Sequence, residues 1–194
     1  DATTSGDANV AVGYEVLTTN TTGAQNTASG YQSLKANTTG NNNTAYGYRS
    51  MYSSVSAPGN NAIGVQSLYS NTTGYSNAAS GYNSLFSNTT GANNTAIGTY
   101  ALQNNTTARY NTAVGQSALY DANRTADVNA YNTAIGSNAG NTGTNDITTG
   151  QYNVLLGAST AASQAAASNQ IVVGYGAAGH GDNIAVIGNT DMTA

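Results

Sequence analysis

Hydrophobic positions along this chain come in short bursts that recur at one interval. Each burst ends on a glycine: Gly13, Gly30, Gly47, Gly64, Gly81, Gly98 and Gly115 stand 17 residues apart. The series continues through Gly136, Gly157, Gly174 and Gly188 at steps of 21, 21, 17 and 14. A fixed period far shorter than a domain means that each repeat is one structural unit stacked on the next. The pattern therefore predicts a solenoid, and function is expected on a long repetitive surface.

Counted from this ruler glycine, each position has its own chemistry. Four residues before it stands Asn in nine of eleven repeats, from Asn9 and Asn26 to Asn132 and Asn153. Two residues before it stands Ala in the first eight, from Ala11 to Ala134. Four residues after it stands Leu or Met in the first seven: Leu17, Leu34, Met51, Leu68, Leu85, Leu102 and Leu119. A second glycine closes Asn-Thr-Thr-Gly at Gly23, Gly40, Gly74 and Gly91. A period of 17 is too short for two packed helices, and the Asn, Thr and Gly density disfavours helix. Two short strands and two turns fit. Asn-Thr-Ala-x-Gly reads as one strand with Ala inward. The x-x-Ser-Leu segment reads as the second, with Leu as the main core residue. Asn-Thr-Thr-Gly reads as the turn, its glycine supplying a positive φ. The predicted fold is an all-β parallel β-solenoid of about eleven short coils, a rod of roughly 50 Å at one strand spacing per coil. It forms a single domain over 1–194, with regular coils at 9–119, longer coils with loop insertions at 120–157 and C-terminal coils at 158–194.

The residue just before the ruler glycine is often apolar and belongs to the other strand face: Val12, Ile63, Ile97, Val114, Ile135, Leu156, Val173 and Ile187, interrupted by Ser29, Tyr46 and Ser80. One Leu, one Ala and one Gly per coil bury little apolar surface, at roughly 25 cal/mol per Å2. A second apolar ladder on the outside then implies a partner surface. The most economical partner is the same chain, around a three-fold axis. Val12, Ile63, Ile97, Val114, Ile135 and Leu156 are the candidate trimer interface.

Composition narrows the function classes. Four basic and eight acidic residues give a net charge of -4. That leaves no basic track for nucleic acid and no basic amphipathic face for direct membrane insertion. The absence of cysteine excludes disulfides, thiol catalysis and zinc–thiolate sites. No apolar run is long enough to span a bilayer. The chain begins at Asp1 with neither Met nor a signal peptide and reads as a piece or mature part of something larger.

The motif Asn-Thr-Ala-Ile-Gly-x-x-Ala-Leu at Asn94 to Leu102 resembles the Asn-Ser-Val-Ala-Ile-Gly-x-x-Ser repeat of YadA-type trimeric autotransporter adhesin heads. Similar arrays occur in bacteriophage tail-fibre shafts and other bacterial surface fibres. The run from Gln170 to Asn189 looks like the end of such arrays. The resemblance covers residues from about 8 to 190. It implies a left-handed trimeric β-roll, an extracellular location on a bacterial surface or phage virion, and a non-enzymatic adhesive role.

Candidate chemistry is sparse. His180 is the only histidine and sits between two glycines; Glu15 is the only glutamate. Asp121, Asp127 and Asp146 fall in the long steps without calcium-loop spacing. No enzyme, metal site or cofactor is called for. Recognition has better material. Tyr14, Tyr31, Tyr48, Tyr82 and Tyr175 share the position after the ruler glycine, and Tyr52, Tyr69, Phe86 and Tyr120 share one four residues further on. Such ladders cover the Leu core, pad a contact between chains, or offer flat faces to sugars. The insertions within Tyr120 to Tyr131 and Asn141 to Tyr152 are expected to bulge as loops, where binding sites concentrate. Tyr120, Asp121, Arg124, Asp127 and Tyr131 are the candidate ligand-binding residues. The sequons at Asn20, Asn37, Asn71, Asn88 and Asn104 read as turn chemistry. The expected function is the head or shaft of a trimeric fibre that attaches to a host, a glycan or another surface polymer. The rival reading is an ice-binding solenoid with Thr ladders at Thr21-Thr22, Thr38-Thr39, Thr72-Thr73, Thr89-Thr90 and Thr106-Thr107.

Overall fold

A computed structural model describes residues 6–123, 129–143 and 145–189. It is a parallel β-solenoid of about ten turns. Eleven three-residue strands make one sheet: β1 (Val10–Val12), β2 (Thr27–Ser29), β3 (Thr44–Tyr46), β4 (Asn61–Ile63), β5 (Ala78–Ser80), β6 (Thr95–Ile97), β7 (Thr112–Val114), β8 (Thr133–Ile135), β9 (Val154–Leu156), β10 (Ile171–Val173) and β11 (Ala185–Ile187). They lie in sequence order, each parallel to the next. Equivalent residues pair throughout, as in Ala28↔Ala45 and Ala96↔Ala113. The steps of 21 and 14 leave this register intact, since Thr133 still pairs Val154 and Ile171 pairs Ala185. Insertions and deletions are therefore absorbed elsewhere in the coil.

Alternation along a strand puts its middle residue inside and the flanking two outside. Ala28, Ala62 and Ala96 accordingly have no exposed surface, while Ile63 and Ile97 are exposed on the other face. Leu34, Met51, Leu68, Leu85, Leu102 and Leu119 fill the rest of the coil and are fully buried. Where the Leu column lapses, the strand column enlarges. Leu155 and Val172 take the Ala place and are fully buried; at the Leu place Ala161 is buried and Ala178 is exposed, and Ala162 and Ala177 complete the core beside them. Gly140 also occupies a Leu place, and Ile147 returns from the following insertion to pack fully buried near it.

The arm carrying Leu is not the second strand that the sequence suggests. Both Ser33 and Leu34 are fully buried, which strand alternation forbids. The backbone here holds left-handed residues at alternate positions: Gln32 at φ 56° and Leu34 at φ 48°, Gln66 at 55° and Leu68 at 50°. A left-handed Leu costs about 1–2 kcal/mol. Full burial of the side chain offsets this, as does a hydrogen bond to the neighbouring coil, such as the Met51 N–H to the Ser67 carbonyl at 2.9 Å.

The turn glycines also differ from expectation. Gly23, Gly40, Gly74 and Gly91 do not have a positive φ. They are needed for space: a Cβ on Gly40 would stand 2.4 Å from Asn37 Oδ1. The ruler glycines have both constraints. Gly81 has φ 140°, and its Cβ would meet the Gly98 carbonyl oxygen at 2.5 Å.

Candidate functional site

Two asparagine columns staple the coil and set its exposed surface. In the column before the strand, each side-chain oxygen accepts the N–H of the next Asn, as Asn77 N–H to Asn60 Oδ1 at 3.0 Å. The side-chain amides donate to turn carbonyls, as Asn77 Nδ2 to Gly91 O at 2.9 Å, except that of Asn111, which is buried without a partner. In the turn column, Asn88 Nδ2 donates to Asn71 Oδ1 at 2.8 Å and Asn105 Nδ2 to Asn88 Oδ1 at 2.8 Å. Asn20, Asn37, Asn71 and Asn88 are buried, so these sequon amides are structural and closed to modification in the folded chain. Turn threonines are also engaged: Thr38 Oγ1 donates to Val55 O at 3.0 Å and Thr72 Oγ1 to Thr89 O at 3.0 Å.

Three surfaces remain outside. The first is the outward sheet face. The column before the ruler glycine runs Val12, Ser29, Tyr46, Ile63, Ser80, Ile97, Val114, Ile135, Leu156, Val173 and Ile187, with Val12 60 % and Ile97 46 % exposed. Beside it runs a more polar column with Thr27, Thr44, Thr95, Thr112 and Thr133. The second surface is aromatic. Tyr14, Tyr31 and Tyr48 stack at 5.3 and 5.4 Å between centroids, and Tyr52, Tyr69 and Phe86 at 5.2 and 5.1 Å. Tyr110, Tyr131 and Tyr152 form a third row at 4.7 and 5.5 Å, five residues before successive ruler glycines. Within a row, ring faces are spent on one another, so an interior ring has no free flat face for a sugar. Its edge and hydroxyl, and the row ends, face outward. The third surface is a cleft of about 340 Å3 at the C-terminal end, lined by Gly176, Ala178, His180, Val186, Ile187, Gly188 and Asn189. His180 is its one titratable residue.

The residues expected to bind a ligand are not drawn together. Tyr120 meets Tyr100 edge-on at 6.3 Å, whereas Tyr131 lies in the third stacked row. Asp121 accepts a hydrogen bond from Asn104 Nδ2 at 2.7 Å. Arg124 and Asp127 lie outside the described residues. The second insertion is a tight turn: the Asp146 carboxylate accepts the N–H groups of Thr142 and of Gly143, the latter at 2.7 Å.

A charged cluster emerges instead on the first three coils. Glu15, Gln32 and Arg49 share one column, two residues after successive ruler glycines. Lys35 Nζ contacts Glu15 Oε2 at 2.6 Å, and Gln32 Nε2 donates to the same oxygen at 2.7 Å. The hydrogen bond from Lys35, then that from Gln32, holds the Glu15 carboxyl below its ordinary pKa. The same bond raises Lys35, and the nearby Glu15 charge raises Tyr14. Arg49 Nε donates to Gln32 Oε1 at 2.8 Å. Its guanidinium lies over the rings of Tyr48 and Tyr52, 5.2 and 5.4 Å from their centroids. The signal that the sequence holds is three polar side chains in one column of consecutive repeats, of which the sequence reading takes up only Glu15.

Among the described residues, no three His, Cys, Asp or Glu side chains group as a metal site, and no helix is long and apolar enough to cross a membrane. Comparison with family models, with curated proteins and with solved structures gives no match.

Proposed function

We propose that this chain is a non-enzymatic segment of a trimeric extracellular fibre, the head or shaft of a bacterial surface or phage adhesin, presenting a surface for attachment to a host glycan or other surface polymer. The observation that carries the reading is the outward aliphatic column. A lone solenoid exposes Val12, Ile63, Ile97, Ile135 and Ile187 in one line along the sheet. Such a largely apolar line, broken only at Ser29, Tyr46 and Ser80, marks a contact with another surface. The strict register keeps that line running along the stack of coils, where identical chains can pack side by side around an axis parallel to it and close a ring. Asn-stapled turns and stacked tyrosines stiffen the coil, which suits a projecting part. The resemblance of Asn94 to Leu102 to YadA-type head repeats supports the same reading.

Ile97→Asp tests it. A carboxylate buried in an apolar contact costs several kcal/mol unless paired. The variant is expected to shift from oligomer to monomer in light scattering while the wild type does not. An unchanged oligomer would remove the sheet face from the interface.

The ice-binding reading gains one observation, the outward Thr27, Thr44, Thr95, Thr112 and Thr133 column on the sheet. It needs that face wet, whereas the fibre reading covers it. Thermal hysteresis in the wild-type chain would favour ice; its absence leaves the fibre.

A further inference from the structure

We infer that Arg49 is the centre of a binding site for a carboxylated sugar, placed where two aromatic rows meet. The inference rests on reading the fibre as an attachment surface, and it names the ligand class and the place. The Tyr14–Tyr31–Tyr48 row ends at Tyr48, since Val65 follows in that column; the Tyr52–Tyr69–Phe86 row begins at Tyr52. Arg49 stands at this junction, its guanidinium over both terminal rings. Three further contacts fix it. Gln32 is oriented by donating its amide to Glu15, which leaves its carbonyl oxygen for Arg49 Nε. Glu15 is in turn the ion-pair partner of Lys35. Glu15 and Lys35 thus neutralise one another, and the cluster keeps the single positive charge of Arg49. No described carboxylate pairs with Arg49, and its two terminal nitrogens make no hydrogen bond within the described residues.

The result is a guanidinium whose plane and direction are set before any ligand arrives, with its paired terminal N–H groups unused. That fork matches a planar carboxylate. Preorganisation lowers the entropy cost of binding. The exposed edge and hydroxyl of Tyr48 and the exposed Val65 side chain lie near it and offer a small apolar and polar margin to a sugar ring. A single cation on a chain of net charge -4 does not suit a densely charged polymer such as nucleic acid. It suits one carboxylate of a single sugar unit, read by the fork geometry of the guanidinium rather than by charge density, with the copies in a fibre acting together on a polysaccharide.

The test is affinity electrophoresis of the full chain through gels containing polygalacturonate, fully methyl-esterified polygalacturonate, dextran sulfate or neutral dextran. The expected result is retardation by polygalacturonate, little by its ester, and a loss of about tenfold or more in affinity for Arg49→Gln, as for removal of a charge-assisted pair. Arg49→Lys keeps the charge but not the fork and is expected to recover only a small part. Arg109→Gln removes an equal charge beside another ring, Tyr75, and is expected to bind like wild type. Unchanged melting curves establish that the variants fold. Polygalacturonate binding that is equal in wild type and Arg49→Gln, or equally weakened in Arg109→Gln, would overturn the site. Retardation by dextran sulfate alone would overturn the choice of carboxylate. Binding to the ester or to neutral dextran that is indifferent to Arg49 would overturn this site and leave the attachment reading standing. No retardation on any gel would count against both.

Discussion

The turn column of asparagines is interrupted once, and the interruption can be repaired. Asn20, Asn37, Asn71, Asn88 and Asn105 occupy it, with Ser54 in the third place. Ser54 is too short to reach its neighbour, so Asn37 Oδ1 and Ser54 Oγ are both buried without a partner. A buried orphan of this kind costs about 1–3 kcal/mol. Ser54→Asn would supply an amide to Asn37 and an acceptor to Asn71, two buried hydrogen bonds worth about 1 kcal/mol each. The same coil carries Ala57 where its neighbours carry Gly40 and Gly74. A Cβ at those glycines would stand 2.4 Å from Asn37 Oδ1 and 2.3 Å from Asn71 Oδ1. Asn105 does face an alanine, Ala108, and there the amide-to-carbonyl bond is 3.2 Å, slightly longer than the 2.9, 3.1, 2.9 and 3.0 Å bonds of Asn20, Asn37, Asn71 and Asn88 to their glycines. Ser54→Asn alone is therefore expected to lose most of its gain to crowding, about 1–3 kcal/mol. Ala57→Gly alone is expected to destabilise by about 0.5–1 kcal/mol through backbone entropy. Together they restore the repeat and are expected to stabilise by about 1–2 kcal/mol, with a coupling of about 2 kcal/mol. Denaturant unfolding of all four proteins, followed by circular dichroism at one concentration, gives the cycle. Additive effects, or a pair less stable than wild type, would refute the steric and hydrogen-bond account.

Gly81→Val is expected to cost several times more stability than Tyr82→Ser: about 1–3 kcal/mol for the backbone conformation and as much again for the collision, against about 0.5–1.5 kcal/mol for one edge-on ring contact. Equal melting temperatures would show that neither φ nor contact matters at Gly81. Ile147→Ala is expected to destabilise by about 2–5 kcal/mol, because its side chain replaces the Leu absent at Gly140; a cost like that of a surface change would place Ile147 outside the core. Glu15 is depressed in the folded chain, so its contact with Lys35 is present above the unfolded carboxyl pKa and lost as pH falls through the folded one. Carbon NMR of Glu15 is expected to show a midpoint below the ordinary 4.5, returning upward in Lys35→Met; a wild-type midpoint at or above 4.5 would contradict the contact.

Much of the fold was readable because a repeat shows each position many times. The ruler glycine, the inward Ala of Thr-Ala-Ile and the buried Leu all follow from column identity and period-two alternation. The Leu arm departs from the strand that period-two alternation predicts there. Leu and the Ser before it are both inward only because alternate residues are left-handed, and branched apolar side chains do not advertise that conformation. Turn composition predicts a positive φ at the turn glycine, whereas its constraint is an asparagine amide belonging to the same turn, a contact invisible until the coil closes. The expected binding loops drew attention by breaking the period. Their residues divide between separate rows, or fall outside the described structure. Glu15, Gln32, Arg49 and Lys35 are spread over 35 residues of sequence numbering and meet only because successive coils superimpose.

The central claim is that the outward aliphatic column is covered by further copies of the same chain. Molar mass by light scattering, on the wild-type chain at micromolar concentration, tests it most directly. The account predicts three times the chain mass of 19.5 kDa, falling to one chain mass in Ile97→Asp. A folded wild-type monomer of 19.5 kDa that holds its mass across dilution would contradict it.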